Sequence, residues 1–381
     1  MKSSDRPIET LQIGMTASRT HMSGTDRYFQ NLLREMPGLG IGVRGMVIGE
    51  PQAVEDPLRG IESFAPEGAG RLTRILGARR VAARLMAGSD LVVSHGAPHA
   101  FYVLDKMGSR PLVSHFHGPW ALEGRDEGVG RLMEFVRHTQ EAAVYRRALR
   151  YITLSRAFAL TLQTEFGVDA ARVRVVPGGV DLERFASSES RAEARARFGW
   201  PADRAIVLAT RRLEPTKGIG ALIEALPAVR ERVPDVMLAI TGTGSLAVTL
   251  AARVEALRLG DNVRFLGHVR SADLPAMYRA ADVSIVPSIA WEGFGLSVLE
   301  SLACGTPALV TPVGGLPEAV ADLAPGLVLR DASPASIAAG LLAVLNDRAS
   351  VPSAGACVAY AQRFAWPSIA ARVADIYREV A

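Results

Sequence analysis

An α/β protein built as two domains, each a parallel sheet wrapped by helices, is predicted by three observations. The chain has 381 residues, enough for two cores of ordinary size. Short apolar runs alternate with stretches of helical spacing in both halves, the pattern of repeated β-α units. Between the halves lies PGGVDLERFASSESRAEARARFGWPADR, a Pro-Gly turn followed by polar sequence, which sets a linker near residues 180–203. The domains are accordingly expected over residues 1–185 and 186–365.

The strands of the first half are read at LQIGMT (11–16), VRGMVIG (43–49), DLVVSHG (90–96), PLVSHFHG (111–118), YITLS (151–155) and RVRVVPGG (172–179). Those of the second half are AIVLATR (205–211), VMLAITG (236–242), NVRFLGH (262–268), VSIVPS (283–288) and PALVTPVGG (307–315). No internal repeat or low-complexity segment interrupts them.

Composition excludes several classes. With 49% hydrophobic and 22% charged residues the chain reads as an ordinary globular protein. Cys304 and Cys357, the only cysteines, fall in predicted helices, so neither a disulfide framework nor a cysteine metal site is implied. The first residues, MKSSDRPIETLQIG, lack the apolar core of a signal peptide, and the 17-residue charge-free run 301–317 is broken by Gly and Pro. A cytoplasmic protein without a spanning segment is expected. Net charge is +4, and its whole excess lies in residues 1–185, with 24 basic against 20 acidic residues, while 186–381 hold 19 of each. Much of it sits in RLTRILGARRVAARLMAG (71–88), read as a helix whose basic face suits a peripheral contact with an anionic membrane or an anionic acceptor, or is simply solvated. No aromatic-interleaved basic motif points to nucleic acid.

The chemistry concentrates in residues 291–318, WEGFGLSVLESLACGTPALVTPVGGLPE. An apolar strand, a glycine turn and a helix closed by Gly305 follow one another. The turn exposes the backbone N–H groups of Gly295, Leu296 and Ser297 at a helix N-terminus, where the dipole favours a phosphate. Glu292 precedes the turn and Glu300 lies about one helical turn inside, two acceptors for sugar and ribose hydroxyls. In ATRRLEPTKGIGALIEAL (209–226), Arg212 and Lys217 follow a strand on a loop. Only three lysines occur in the chain, Lys2, Lys106 and Lys217, so a point-charge lysine at 217 in an arginine-biased sequence suggests a local requirement.

Two glutamates separated by seven intervening residues around EGFGL resemble the signature of the retaining GT-B glycosyltransferases of family 4, the group 1 glycosyl transferases. The resemblance implies two Rossmann-like parallel-sheet domains facing across a cleft, and it covers nearly the whole chain, most strongly 173–320. It implies that Glu292 lies near the donor sugar with Gly293 and Phe294 of the turn, that Glu300 contacts the nucleotide ribose, and that Arg212 and Lys217 grip the diphosphate. Arg211 stands where many relatives have Gly and receives no role. PGGVDLERF resembles the interdomain hinge, with Gly179 in a slot often held by Asn, and 366–381 resembles the C-terminal helix that rejoins the first domain. HMSGTDRYFQNLL (21–33) resembles the glycine loop before the first helix, with Gly24 near the donor. An ordinary cap by Ser23 or Thr25 explains the same residues equally well.

His117-Gly118 in VSHFHGPW (113–120) matches the His-Gly element beside the donor sugar, with His115 behind it on the same strand face. Gly242 and His268 match positions near the base. Gly242, Gly244 and Ala247 also form a G-x-G-x-x-A pattern, but their strand is the second of its domain and Asp261 precedes a strand instead of following one, against a dinucleotide site.

No Asp-x-Asp pair and no evident His/Cys ligand cluster occurs, so neither metal nor cofactor is expected. The implied activity is metal-independent, retaining, hexosyltransferase-type transfer of a sugar from a nucleoside diphosphate to an acceptor hydroxyl of a glycan, glycolipid or small metabolite. The leaving diphosphate would help take the proton. A nucleotide-sugar epimerase or phosphorylase on the same fold, and a silent binding subunit, are the alternatives.

Overall fold

The computed structural model describes residues 6–17, 23–51, 59–126, 128–186, 189–347 and 351–381. The chain separates into two compact units, Met1–Gly179 with Trp366–Ala381, and Val180–Ala365. Among the described residues no helix is long and apolar enough to cross a membrane.

Among the described residues the first unit holds seven parallel strands: β1 (Ile8–Ala17), β2 (Ile41–Gly49), β3 (Ile61–Ala65), β4 (Leu91–Ser94), β5 (Leu112–Phe116), β6 (Arg150–Thr153) and β7 (Val173–Val175). Their order in the sheet is β3-β2-β1-β4-β5-β6-β7. β1 is therefore flanked by β2 at Thr10↔Val43 and by β4 at Thr10↔Leu91. Central strands such as β4 and β5 are buried throughout, as a sheet covered on both faces requires. β3, which the sequence reading missed, is an edge strand of sequence IESFA, whose Glu62 and Ser63 interrupt the apolar run. One face is covered by a core that includes Val81, Leu85, Val144, Tyr145 and Phe158. The C-terminal helix Trp366–Val380 packs on the helix Gly24–Glu35 in this same unit, with Val373 and Tyr377 fully buried.

The second unit holds β8 (Ile206–Thr210), β9 (Met237–Thr241), β10 (Val263–Gly267), β11 (Val283–Val286) and β12 (Ala308–Val310). All pair in parallel in the order β10-β9-β8-β11-β12. Each was read at its observed place in the sequence, since each is an apolar run between turn residues.

The stretch 180–203 is more than a linker. It carries the helices Leu182–Phe185 and Arg191–Arg197, and the unit division falls after Gly179. The polar composition misleads because one arginine faces inward. Arg195 is 6% exposed; its guanidinium pairs with Asp282 at 2.8 Å and donates to the Ala202 carbonyl at 2.6 Å. Asp282 accepts in turn from the Ile206 N–H at 2.8 Å, locking this helix to the start of β8. Removing one partner of a buried pair strands the other charge. Arg195→Met is expected to destabilise the protein by about 3–5 kcal/mol, while Arg195→Met/Asp282→Leu recovers much of the loss, read by denaturant unfolding.

Candidate active site

Strand order reverses between β8 and β11, because β9 and β10 lie on one side of β8 while β11 and β12 lie on the other. Ligands of open parallel sheets bind beyond the carboxyl ends of the strands at such a switch point. The loops that leave β8 and β11 carry the two motifs, and backbone contacts hold them together. The Ile289 N–H donates to the Thr216 carbonyl at 2.9 Å. Gly218 has φ +70°, and a Cβ there would run into the Pro287 carbonyl. Only glycine meets both demands.

The backbone of Glu292 is gripped as tightly. Its carbonyl accepts from the Gly315 N–H at 2.9 Å, and Gly314, at φ +54°, lies so close that a Cβ would strike the same carbonyl. Trp291, next to it, has φ +46°, a conformation that costs a non-glycine residue about 1–3 kcal/mol and survives only where the surroundings enforce it. Neither TPVGG nor Trp291 was assigned a part in the site from sequence, although Gly-Gly after a strand is a signal of close approach.

The Glu292 side chain is 13% exposed, and three groups meet its Oε2. Arg211 Nη2 forms an ion pair with it, the Ser288 hydroxyl donates at 3.0 Å, and Lys217 Nζ lies at 3.4 Å. Burial alone would raise the carboxyl pKa, but the charges of Arg211 and Lys217 outweigh it and bring the value down to about 2. Glu292 is thus ionised throughout the neutral range. Arg212, expected from sequence to grip the diphosphate with Lys217, is exposed and its charge acts on Glu214, while Arg211 takes the place beside Glu292. The cause is alternation at the end of β8, which sends Arg211 inward toward Glu292.

The remaining second-unit candidates divide. Glu300, 6% exposed, sits in the helix Leu296–Ala303 and accepts from the Tyr278 hydroxyl at 3.1 Å. No side chain caps this helix, and the Ser297 Oγ is buried without a partner, as are Thr210 Oγ1 at the end of β8 and Arg211 Nε. Orphaned polar atoms at a helix N-terminus fit an anionic ligand. Gly293 and Leu296 are partly exposed on the turn, and Gly295 caps the helix at φ +84°. Phe294 belongs to the core instead, 3% exposed with its ring 5.6 Å from Phe364. Gly242 is glycine because a Cβ would strike the Arg211 carbonyl, and His268 is exposed.

In the first unit the order reverses between β1 and β4. Gly24 opens the helix Gly24–Glu35 with open space around its Cβ position, while Ser23 and Asp26 form a reciprocal capping box, with the Asp26 N–H donating to Ser23 Oγ at 3.1 Å. The start of that loop, His21 and Met22, lies outside the described residues. His95, directly after β4, and His115 and His117, on β5 and just past it, stack with ring planes 14–19° apart. One ring nitrogen from each lies within 4.8 Å of the other two, a cluster that sequence spacing concealed and that corrects the expectation of none. His115 has Tyr28 Oη 3.3 Å from Nδ1 and Tyr377 Oη 2.9 Å from Nε2, so this is foremost a hydrogen-bonded stack.

Gln12 Nε2 donates to Thr10 Oγ1 at 2.9 Å, leaving its Oε1 to accept from His95 Nε2 at 3.0 Å. His95 Nδ1 is then a bare acceptor, and it and His117 Nε2 are buried without partners. Glu141, absent from the sequence reading, fixes the loop behind His117 by accepting from the N–H groups of Trp120 and Ala121 at 3.0 and 2.9 Å. Burial pushes its pKa up to about 7.

Comparison with known proteins decides the family. The model described as Glycosyltransferase Family 4 matches residues 22–184, and that described as Glycosyl transferases group 1 matches residues 190–364. The chain belongs to the group 1, family 4 glycosyltransferases. A D-inositol 3-phosphate glycosyltransferase of Streptomyces bingchenggensis is 34% identical over 303 residues, 76% of this chain and 66% of the relative. One from Kineococcus radiotolerans is 39% identical over 256 residues, 62% of this chain and 59% of the relative. The matched stretch thus spans somewhat under two thirds of these relatives' length.

Among solved structures, Anabaena HepE with UDP and glucose superposes with a TM-score of 0.78 at 21% identity, covering 98% of this chain and all of that one. Sucrose-phosphate synthase of Thermosynechococcus elongatus does so with 0.78 at 23%, covering 98% of each. The fold of this family 4 glycosyltransferase is therefore GT-B, with two Rossmann-like parallel-sheet units.

Burial lowers the pKa of His117 and His99 to about 4 and that of His95 and His115 well below the usual imidazole value. A histidine depressed in the folded state binds fewer protons there than in the unfolded chain, so its contribution is complete above about pH 6.5 and is lost as pH falls toward 4. Glu141, raised to about 7, acts oppositely, being most favourable at low pH and losing its contribution between about 4.5 and 7. Four histidines outweigh one carboxyl. The melting temperature is expected to fall steeply between pH 6.5 and 4, and His95→Gln should flatten that slope in a calorimetric series.

Proposed function

We propose that this glycosyltransferase transfers a hexose from a nucleoside diphosphate sugar to an acceptor hydroxyl with retention of anomeric configuration and without a metal ion. The observation that carries the proposal is the buried, ionised Glu292 with Lys217 and Arg211 around it, on loops leaving the switch point of the second sheet, beside a helix start with an orphaned Ser297 hydroxyl. Glu292 accepts hydrogen bonds from the sugar, and Lys217 balances charge growing on the diphosphate. Arg212, exposed on the same loop, is a second candidate for the phosphates, and Glu300 serves the ribose. His117 offers its unpartnered Nε2 to a sugar or acceptor hydroxyl. Retention follows from the family resemblance, with the leaving diphosphate taking the acceptor proton.

UDP and UDP-glucose, bound in the HepE structures, are the first donors to test. The relatives' names make inositol 3-phosphate the first acceptor to test. Incubation with labelled UDP-glucose should release UDP slowly and faster with a true acceptor, forming an α-linked product. A changed sugar on intact nucleotide would indicate an epimerase, and no reaction with any donor a silent subunit. Lys217→Ala should lower turnover by roughly 10²–10³-fold. Glu300→Gln should weaken UDP binding in calorimetry, whereas Glu292→Gln should leave it and slow transfer. Equal losses of UDP affinity would reverse that assignment.

The helix Arg71–Met86 is proposed to rest on anionic lipid. Leu72 and Leu76 are 69% and 60% exposed on it, with Arg71 and Arg80 also exposed, an apolar and cationic combination suited to a headgroup layer. Arg79 is already paired with Asp105 at 2.7 Å. Arg71→Gln/Arg80→Gln should weaken binding to phosphatidylserine vesicles roughly fivefold per charge at low salt, while Arg79→Gln changes it little. Wild-type protein that ignores such vesicles would leave the helix a solvated face.

A further inference from the structure

Arg211 approaches the site carboxylate more closely than either cation of the family signature, at a position to which the sequence reading gave no role. We propose that Arg211 is a positioning residue for the donor sugar, holding Glu292 charged and turned so that its Oε1 faces the ligand. The proposal rests on the reading that Glu292 meets that sugar.

The geometry supports it in three ways. The Arg211 side chain is only 9% exposed, and a guanidinium buried to that degree is retained at a site when it is paired. One nitrogen, Nη2, meets both the Ser288 hydroxyl at 2.6 Å and Glu292 Oε2, and Ser288 itself donates to that oxygen at 3.0 Å. This closed triangle fixes the carboxylate's rotation as well as its charge. All the contacts seen at the carboxylate fall on Oε2, and none among the described residues falls on Oε1. An ionised carboxylate with one oxygen so committed accepts hydroxyl hydrogens at the other.

The backbone is built to bring Arg211 there. Its N–H donates to the Thr241 carbonyl at 3.1 Å, and Gly242 carries no Cβ where one would strike the Arg211 carbonyl. The charges add a further consequence. Arg211 and Lys217 together exceed Glu292 by one positive charge, so the site keeps a net cation for the diphosphate even with Glu292 ionised. Lysine at 217 alone would only balance it.

The test compares wild type, Arg211→Gln, Arg211→Lys and Glu292→Gln, with UDP-glucose turnover measured from pH 5 to 7.5 and UDP affinity by calorimetry. Wild-type turnover should be flat across that range. Arg211→Gln should lower kcat by about tenfold or more at pH 7.5 and lose further activity as pH falls toward 5, because Glu292 then takes up a proton in the buried site. Arg211→Lys should restore the flat profile with a reduced kcat. On the Glu292→Gln background, Arg211→Gln should add no further loss, the non-additivity expected of two groups acting as one.

An Arg211→Gln profile as flat as wild type, or losses that multiply in the double variant, would overturn the proposal. If Arg211→Gln fails to fold, Arg211→Lys decides, since a sloping profile there would overturn it too. Wild-type protein that binds UDP and turns over sugar while these arms fail leaves the donor reading standing and removes only Arg211. Wild-type protein that binds no nucleoside diphosphate sugar overturns both.

Discussion

The pairing of β8 with β11 is the constraint on which the second unit's chemistry depends. These strands are separated by more than seventy residues, yet they lie side by side because β9 and β10 build outward on the other edge. Their loops must then share one space, and the approach of Gly218 to Pro287 shows how little is left between them. Within that space a carboxylate and two cations are forced together out of water. Low dielectric strengthens their attraction and also makes an unpaired member costly. The arrangement is therefore close to all-or-none. Glu292 can be buried because Arg211 and Lys217 are present, and Arg211 can be buried because Glu292 is.

Rigidity follows from the same geometry. The Glu292 peptide is caught between the strained Trp291 and the Gly314-Gly315 turn after β12, so three strands of one sheet define the place of a single side chain. A group held on strand ends is pre-organised, and little reorganisation accompanies binding. Ser297, Thr210 and Arg211 each keep one polar atom buried and unmatched nearby. Native proteins leave such atoms where a ligand or ordered water completes them.

In the first unit, packing performs a comparable task with neutral groups. The C-terminal helix brings Tyr377 to His115, Tyr28 meets the other nitrogen, and Trp366 lies edge-on to Tyr28 with centroids 5.3 Å apart. Gly179 carries no side chain where a Cβ would press on the Trp366 indole. Three histidines at one sheet end would repel if charged, so burial keeps them neutral, and the Gln12 contact leaves Nδ1 of His95 an acceptor.

Much was legible in the sequence because it depends on local pattern. Eleven of the twelve strands among the described residues are apolar runs bounded by turn residues, and the EGFGL turn between Glu292 and Glu300 is contiguous, so its geometry and its family resemblance could be read together. Edge strand β3 escaped because Glu62 and Ser63 face an environment that need not be apolar, and the helix Arg191–Arg197 read as linker because its one inward arginine looks like any other. The choice between Arg211 and Arg212 also lay beyond the sequence, since adjacent side chains at a strand end point to opposite sides and only the position of Glu292 across the sheet decides which of them is buried. The histidine stack was hidden for the same reason. His95 and His115 are twenty residues apart in sequence and become neighbours only through the parallel pairing of β4 with β5. Composition and local spacing therefore determined the elements and the family, while strand order, which no local pattern encodes, decided which side chains meet.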